Sequence, residues 1–274
     1  MNRREFLKGT AWMGAAAFAV GCTGTKGFGF GEGGLMATYA DKPFKKLRIG
    51  IIGLCRGGAG FAFAAIPGCE ITAICDLEAD NIQRALQKID ERRSQCERSS
   101  QTRAPKVYTG SPEAWKKLCD DPEVDVVMNS TPWELHVPIA LYAMKAGKHV
   151  LIEVPSAFTV DECWELVETS EKLRRHCMQL ENCCYGRQEM MVLNMVKKGL
   201  FGEVVHCDGG YIHHLCGEIL AGKEKKHYRL RNYMYRNCDN YPTHALGPIA
   251  KILNINKGNR FLTLTSTASK PAIS

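Results

Sequence analysis

Three glycines and one acid near the start of the globular part have the types and spacing needed to bind a dinucleotide. Gly53, Gly57 and Gly58 follow the apolar run LRIGII, and Asp76 follows the next apolar run, EITAIC. Glycines at a strand-to-helix turn let backbone N–H groups approach a pyrophosphate, and an acid about 20 residues further on hydrogen-bonds the adenosine ribose. The spacing is not G-x-G-x-x-G, because the second glycine is missing. Together these residues predict dinucleotide binding, with NAD preferred over NADP because the acid repels a 2′-phosphate.

Polar side chains that could exchange protons with a substrate lie in the second half of the chain. Tyr211, Arg229 and the run YPTH (241–244) are of types that bind polar substrates or act in acid–base chemistry. A tyrosine and a histidine that are hydrogen-bonded at a turn explain the same residues, and taken alone the residues favour that interpretation. No pair of acids marks a glycosidase acid and nucleophile. His213 and His214 would point to opposite faces of a strand, so the sequence predicts no metal.

Alternating strand and helix signals indicate how these groups are positioned. Apolar runs at 47–54, 70–76, 124–131, 148–155 and 177–184 predict five strands, with helices between them. This order is typical of an α/β fold with a Rossmann-type, doubly wound parallel sheet, in which ligands bind at the carboxyl ends of the strands.

Two helix starts carry explicit sequence signals. Thr159-x-x-Glu162 predicts a capping box, and Ser111 followed by Pro112 predicts an N-cap and a first helical residue.

The pattern changes after about residue 185. A helix near 187–199 precedes GEVVHCDGGYIHH (202–214), which predicts a strand of a second sheet. We therefore predict three segments. Residues 1–42 form an export signal and a flexible tether, 43–155 form an NAD-binding Rossmann domain, and 156–274 form part of an α+β substrate domain with an open sheet.

The N-terminal segment predicts export. The stretch NRREFLKGTAWMGAAAFAVGC carries Arg3 and Arg4 ahead of an apolar run that is too short to span a bilayer. It resembles a twin-arginine signal, the type that exports folded proteins. Its final AVGC resembles a lipoprotein cleavage box that would leave Cys22 lipidated, and cleavage without a lipid is the alternative. We expect a periplasmic protein, or one anchored to a membrane and facing the periplasm, whose membrane contact is limited to that lipid.

Composition and charge exclude several classes of protein. Hydrophobic residues make up 45% and charged residues 24% of the 274 residues, which is typical of globular domains and not of disorder. The formal net charge of +7 is spread over short runs, so solvated faces explain it better than a nucleic-acid partner does. The thirteen cysteines include no C-x-x-C pair, and we expect most of them to be small buried side chains. A homo-oligomeric state is left open.

Four longer stretches carry a family resemblance. They are GKHVLIEVPSAFTVDECWELV, RRHCMQLENCCYG, LNMVKKGLFGEVVHCDGGYIH and YPTHALGPIAKILNINKGNR. From about residue 46 to the C-terminus the chain resembles glycoside hydrolase family 109, the NAD-dependent glycosidases known as alpha-N-acetylgalactosaminidases, within the wider Gfo/Idh/MocA oxidoreductase group.

The resemblance implies a hydrolysis that uses NAD without net oxidation. Hydride leaves C3 of the sugar, the C2 proton is lost, the aglycone departs from C1, water adds and the hydride returns. Sugar oxidoreductases of the wider group carry Glu-Lys-Pro where this chain has Glu153, Val154 and Pro155. The implied route needs no lysine at position 154. The implied substrate is a glycoside with a terminal alpha-N-acetylgalactosamine or a similar sugar.

The resemblance also implies two sets of site residues. NAD contacts would be Cys55, Arg56, Asp76, Trp133, Glu134, Leu135, His136, Glu153, Val154 and Asn182. Substrate contacts would be Tyr211, Arg229, Tyr241, Pro242, Thr243 and His244. Within the second set, Tyr211 and His244 are the candidates for acid–base catalysis.

The chain departs from the family pattern in three places. The glycine turn is altered, and after GYIH the family has an Asp and then an Arg where His214 and Cys216 stand here. Family members are also longer, so we expect the second domain to be incomplete. Two other interpretations stay open: a sugar dehydrogenase of the wider group, which Val154 disfavours, and a truncated, non-catalytic remnant that binds NAD or sugar.

Overall fold

The computed structural model describes most of the chain after the predicted export signal. The described residues are Met36, 39–55, 57–222, 224 and 228–269. Arg3, Arg4 and Cys22 of the predicted export signal, and the predicted NAD contact Arg56, lie outside them. None of the helices in the described ranges is long and apolar enough to cross a membrane.

A six-stranded sheet organises the first half of the chain. Its strands are Leu47–Ile52 (β1), Cys69–Cys75 (β2), Lys106–Tyr108 (β3), Val126–Asn129 (β4), His149–Ile152 (β5) and Cys177–Gln179 (β6). The spatial order is β3-β2-β1-β4-β5-β6, and the pairs β2–β3, β1–β2, β1–β4 and β4–β5 are parallel. This is the strand order of the doubly wound dinucleotide-binding fold, which confirms the predicted α/β class.

Helices connect the strands and continue beyond them. The α-helices are Ala79–Ser94 (α1), Ala114–Asp120 (α2), His136–Lys145 (α3), Val160–Leu173 (α4), Arg187–Lys197 (α5), Cys216–Leu220 (α6), Arg229–Tyr235 (α7) and Pro242–Ile252 (α8). Within residues 39–269, as far as the structure describes them, the 3-10 helices Gly57–Ala65, Trp133–Leu135 and Asn182–Tyr185 follow the ends of β1, β4 and β6.

The central strands form the core because their side chains are apolar on both faces. Ile49 and Ile51 of β1 and Val127 of β4 are completely buried, as expected for the middle of a parallel sheet that is covered on both sides. Gly50 of β1 makes room for a helix: a Cβ at Gly50 would lie 2.6 Å from Leu118 Cδ2 of α2. The fully buried Leu118 therefore packs directly on the β1 backbone.

One of the two predicted helix starts is confirmed. Thr159 accepts a hydrogen bond from Glu162 N (3.1 Å), and the Glu162 carboxylate accepts one from Thr159 N (3.0 Å), which completes the capping box of α4. The predicted N-cap at Ser111 is wrong, because α2 begins at Ala114. Ser111 Oγ instead accepts from Glu113 N (3.2 Å) and closes a turn ahead of the helix.

Two predicted strands differ from the structure. The fifth predicted strand, 177–184, ends at Gln179 in β6, because the Glu181 side chain accepts from Cys183 N and starts a 3-10 turn. The predicted strand at 202–214 is wrong: residues 204–215 have no regular secondary structure, and Ile212 is fully exposed. A strand needs a paired neighbour, and within the described residues no strand follows β6.

The described residues form two compact units. The first extends to Ile152 and includes Ala157–Met178, whereas the second contains Glu153–Ser156 and continues from Gln179. Helix α4 packs on α3 and therefore belongs to the first unit. The sequence analysis placed its boundary between residues 155 and 156, which assigned α4 and β6 to the second domain. In this division α4 and most of β6 belong to the first unit.

Candidate functional site

The first unit has a tight turn where β1 ends. Gly53 has a φ of +84° and donates its N–H to Cys75 O (2.9 Å). A Cβ at Gly53 would lie 2.6 Å from Ser130 O and 2.7 Å from Thr131 N. The positive φ and this close approach of two backbone segments both require glycine. The turn therefore brings the ends of β1, β2 and β4 together.

Asp76 lies next to this turn, directly after β2. Its Oδ2 accepts from Leu54 N (2.8 Å), and its Oδ1 accepts from Glu78 N (2.9 Å) and Asn81 Nδ2 (3.1 Å). A carboxylate has about four acceptor positions, so Asp76 keeps capacity for a ribose hydroxyl while these donors fix its orientation. The glycine turn and the fixed acid fit a dinucleotide at this end of the sheet.

The other predicted NAD contacts of the first unit follow β4 or lie in the glycine turn. Trp133 is buried and packs edge-to-face on Phe158, with ring centroids 6.1 Å apart. His136 is also buried, and its Nε2 donates to Thr131 O (2.9 Å), since a carbonyl can only accept. These two side chains shape the loop after β4. Cys55, Glu134 and Leu135 are exposed, so they are accessible to a ligand.

The second unit contains a short, buried hydrogen bond between two side chains. His244 Nδ1 lies 2.6 Å from Glu181 Oε1, and the two side chains are 8% and 9% exposed. Glu181 Oε1 also accepts from Cys183 N (3.0 Å). Because an ionised carboxylate only accepts, Nδ1 of His244 carries the proton. In the neutral ring, Nε2 is then left as the proton acceptor.

Local sequence explains how the two residues meet. Glu181 precedes the 3-10 turn Asn182–Tyr185, and His244 lies in the first turn of α8, which begins with Pro242. Proline is favoured at this first helical position. A Cβ at Gly247 would lie 2.9 Å from Glu181 Cγ. Glycine at 247 therefore allows α8 to approach Glu181 closely enough for the hydrogen bond.

The pKa values of two carboxyl groups in this unit are shifted in opposite directions. Burial alone would raise the pKa of Glu181, but Thr243, His244 and the Cys183 N–H favour the charged form and lower that pKa below its usual value. The Thr243 hydroxyl is near enough to act on the charge, although it forms no hydrogen bond of normal geometry. Burial raises the pKa of Glu153, and the nearby Glu181 charge adds to the increase. Glu181 is therefore the fixed anion, and Glu153 holds a proton more readily.

Aromatic rings surround His244. The Tyr211 ring centroid is 4.4 Å from that of His244, and the Tyr241 ring stacks on His244 at 5.2 Å with an interplanar angle of 7°. Arg229 Cζ lies 5.2 Å from the Tyr241 ring centroid, which is within the range of a cation–π contact. The Tyr211 hydroxyl is hydrogen-bonded to His213 Nδ1 (2.6 Å). Burial raises the pKa of both tyrosines, so both are protonated phenols near neutral pH.

The structure thus brings together the predicted substrate residues Tyr211, Arg229, Tyr241, Pro242, Thr243 and His244. Of the predicted NAD residues in this unit, Glu153 is close enough to act on Glu181 electrostatically, Val154 is buried and Asn182 is exposed. The sequence analysis gave Glu181 no cofactor, substrate or catalytic role. Its place next to Asn182, at the end of the fifth predicted strand, was the available signal.

The fold and the two groups of residues define a class: a Rossmann-type nucleotide-binding protein whose second unit carries a cluster of titratable and aromatic side chains, Glu181, Tyr211, Tyr241 and His244. Two family models match the chain. "Oxidoreductase family, NAD-binding Rossmann fold" covers residues 47–180, and "Glycosyl hydrolase 109, C-terminal domain" covers residues 185–273.

Curated relatives and a solved structure agree with this class. A glycosyl hydrolase family 109 protein of Solibacter usitatus is 43% identical over 85% of this chain and 52% of its own length. The alpha-N-acetylgalactosaminidase of Shewanella oneidensis is 41% identical over 83% of this chain and 48% of its own length. The myo-inositol 2-dehydrogenase of Lactobacillus plantarum has the same fold, with a TM-score of 0.59 at 19% identity over 76% of this chain and 56% of that one.

The chain is similar to glycosyl hydrolase family 109 proteins in both parts: the family's C-terminal model matches residues 185–273, and the Solibacter usitatus relative aligns over 85% of the chain. The chain spans about half of the length of the two curated relatives just named. Its first unit is an NAD-binding Rossmann domain, and the cofactor is NAD. Within that unit the turn at Gly53 and the carboxylate of Asp76 are the residues whose geometry suits the pyrophosphate and the adenosine ribose.

Replacing Asp76 by Ala should weaken NAD binding about tenfold or more, because a charge-assisted hydrogen bond contributes about 1.5–3 kcal/mol. The unmutated protein should bind NAD more tightly than NADP, and the mutation should reduce that preference. Isothermal titration calorimetry with both cofactors measures the two effects. Asp80→Ala, which removes an exposed acid in the first turn of α1, is the matched control and should leave both affinities unchanged. Equal affinity for NAD and NADP in the unmutated protein would contradict the ribose contact.

Proposed function

We propose that the protein is an exported glycosidase that hydrolyses alpha-N-acetylgalactosaminides or related glycosides by an NAD-dependent route. The observation that carries the proposal is the buried Glu181–His244 hydrogen bond with Tyr211 packed on the His244 ring. Tyr211 and His244 lie within residues 185–273, which the family 109 C-terminal model matches, and Glu181 lies four positions before that range. The name of the Shewanella oneidensis relative supports the choice of substrate.

His244 is the proposed base that removes the proton from C2 of the sugar. When bound, NAD would supply a transient oxidation at C3, which would make the adjacent C2 proton acidic. Glu181 holds the proton on His244 Nδ1, so Nε2 presents its lone pair. Because the Glu181 pKa is lowered, the carboxylate is charged at neutral pH and stabilises the imidazolium that forms. A positioned general base of this kind contributes about 10²–10⁴ to a rate.

Tyr211 is the proposed acid for the departing glycosidic oxygen. Burial raises its pKa, so the phenol keeps its proton until the leaving oxygen needs it. Its hydroxyl is already hydrogen-bonded to the exposed His213, which can return a proton from solvent. Arg229 and Tyr241 flank the two catalytic rings and are proposed to bind the sugar.

Export is part of the same proposal. Arg3, Arg4 and the apolar run behind them support transport by the twin-arginine route to the periplasm, with Cys22 as the site of a lipid anchor. Replacing both arginines by lysine should leave the protein in the cytoplasm. Cell fractionation that still finds it exported would remove this part of the proposal.

Isotope incorporation tests the proposed reaction. Hydrolysis of a p-nitrophenyl N-acetylgalactosaminide in D2O should place deuterium at C2 of the released sugar, because that bond breaks in every turnover. The C3 hydrogen should be retained, because a hydride held on bound NAD would not exchange with solvent. NMR of the product measures both positions.

Two measurements separate the proposed route from a two-carboxylate glycosidase and from a sugar dehydrogenase. A two-carboxylate glycosidase never breaks the C2–H bond, so a hydrolysed product with protium at C2 would exclude the proposed route. Stoichiometric NADH formed from free sugars would instead identify a sugar dehydrogenase.

A further inference from the structure

Three side chains of the second unit have different donor atoms that converge on one point. A carboxylate oxygen of Glu181, the Cys183 sulfur and a ring nitrogen of His244 all lie within 4.8 Å of one another. Glu181 and the side chain of His244 are buried, while Cys183 is half-buried. Elsewhere in the part of the chain that the structure describes, no other group of three such residues comes this close.

We propose that Glu181, Cys183 and His244 form a binding site for a thiophilic divalent cation, of which Zn²⁺ is the reference. Zn²⁺ is held at 2.0–2.3 Å by nitrogen, oxygen and sulfur ligands, so tetrahedral geometry places ligand atoms about 3.3–3.7 Å apart. The three donor atoms lie within 4.8 Å of one another, so a shift of about 1 Å brings the widest pair to that spacing. Three protein ligands leave the fourth position open to water.

Existing hydrogen bonds fix the orientation of the carboxylate. Glu181 Oε1 accepts from the backbone N–H of Cys183 and lies 2.6 Å from His244 Nδ1, and the second of these contacts must open when a cation binds. Glu181 Oε2 is buried and forms no hydrogen bond of normal geometry among the described residues, so it has lone pairs to offer a cation. A buried carboxylate oxygen without a donor is costly to desolvate, and a cation compensates that cost.

The donor set selects the type of cation. A thiolate and an imidazole suit Zn²⁺ or Co²⁺, whereas Mg²⁺ and Ca²⁺ prefer a shell of oxygens. Binding forms a metal–sulfur bond and breaks the Cys183 S–H bond, whose proton goes to solvent. The proton on His244 Nδ1 moves to Nε2, so the ring stays neutral and no electron is transferred. A chain that holds the cation therefore cannot use Nε2 as the proposed base, and cation binding and catalysis exclude each other.

The sequence alone did not suggest this site. Cys183 was assigned to a strand that was expected to run to residue 184, with Cys184 on the opposite face of that strand. The 3-10 turn after β6 instead places Cys183 next to Glu181. Helix α8 contributes His244, which lies 61 residues after Cys183 in the sequence (244 − 183).

Cobalt titration of the purified chain tests the proposal without reference to any enzymatic activity. Co²⁺ should bind with one-to-one stoichiometry and give a thiolate-to-cobalt charge-transfer band, and Zn²⁺ should displace it. Cys183→Ser should abolish the band and weaken binding by at least about tenfold. The adjacent Cys184→Ser is the matched control and should keep both the band and the affinity.

A second variant keeps the result interpretable if Cys183→Ser folds poorly by circular dichroism. His244→Gln should weaken cobalt binding by about as much as Cys183→Ser does. At cobalt concentrations high enough to fill the site, the thiolate-to-cobalt band should still appear, because Cys183 is intact. Absence of stoichiometric cobalt binding in the unmutated chain would overturn the proposal. So would a charge-transfer band that survives in a folded Cys183→Ser protein or disappears in Cys184→Ser.

Discussion

Replacing His244 by Gln is expected to lower the turnover of an N-acetylgalactosaminide by about 10²–10⁴, because the reaction loses its proposed general base. Gln is similar in size and can still donate to Glu181 Oε1, so the buried carboxylate keeps a partner. NAD affinity should be unchanged, since Asp76 and the Gly53 turn are not altered. Steady-state kinetics and calorimetry on the same preparation measure the two effects.

An exposed histidine provides the control for this prediction. His206→Gln makes the same chemical change at a site without a described ion pair or ring contact, and it should leave turnover unaltered. A His244→Gln protein that keeps more than about a tenth of the unmutated turnover would contradict the role of His244, because a general base contributes at least about a hundredfold. The defect should appear in kcat more than in KM, since the lost interaction belongs to the transition state.

The parallel sheet was predictable because its physical cause is local. Each central strand is a short apolar run, and such runs alternate with helical segments at regular spacing. β3 was missed because Lys106–Tyr108 is short and largely exposed, so its sequence shows no burial signal. The capping box of α4 was found because its residues are three positions apart and interact with each other directly.

The cluster of Glu181, Tyr211, Tyr241 and His244 was only partly predictable because it is built from distant segments. Tyr211 and His244 were selected through the family resemblance, whereas Glu181 enters the cluster through a turn that the sequence did not reveal. The apolar residues of 202–214 indicated a strand, but a strand also depends on a partner that local sequence does not specify. Tertiary contacts therefore determine both the position of Glu181 and the conformation of residues 202–214.

Replacing Gly53 by Ala is expected to destabilise the first unit by about 2–5 kcal/mol and to remove measurable NAD binding. A positive φ costs a non-glycine residue about 1–2 kcal/mol. The new Cβ would also lie 2.6 Å from Ser130 O, and relieving such a contact by a backbone shift costs about 1–3 kcal/mol more. Urea unfolding followed by tryptophan fluorescence reports on this unit, because Trp115, Trp133 and Trp164 all belong to it.

Gly68 offers a control with the same backbone conformation and different surroundings. Its φ is also +84°, but a Cβ there would meet nothing within 4 Å. Gly68→Ala should therefore lower the free energy of unfolding by about 1–2 kcal/mol and retain NAD affinity, since this variant has the cost of the positive φ without the steric clash. The difference between the two variants in the free energy of unfolding measures the contribution of the contact between the β1 turn and the segment after β4. Equal destabilisation in both, with NAD binding intact, would show that this contact can relax and that the turn does not form the pyrophosphate site.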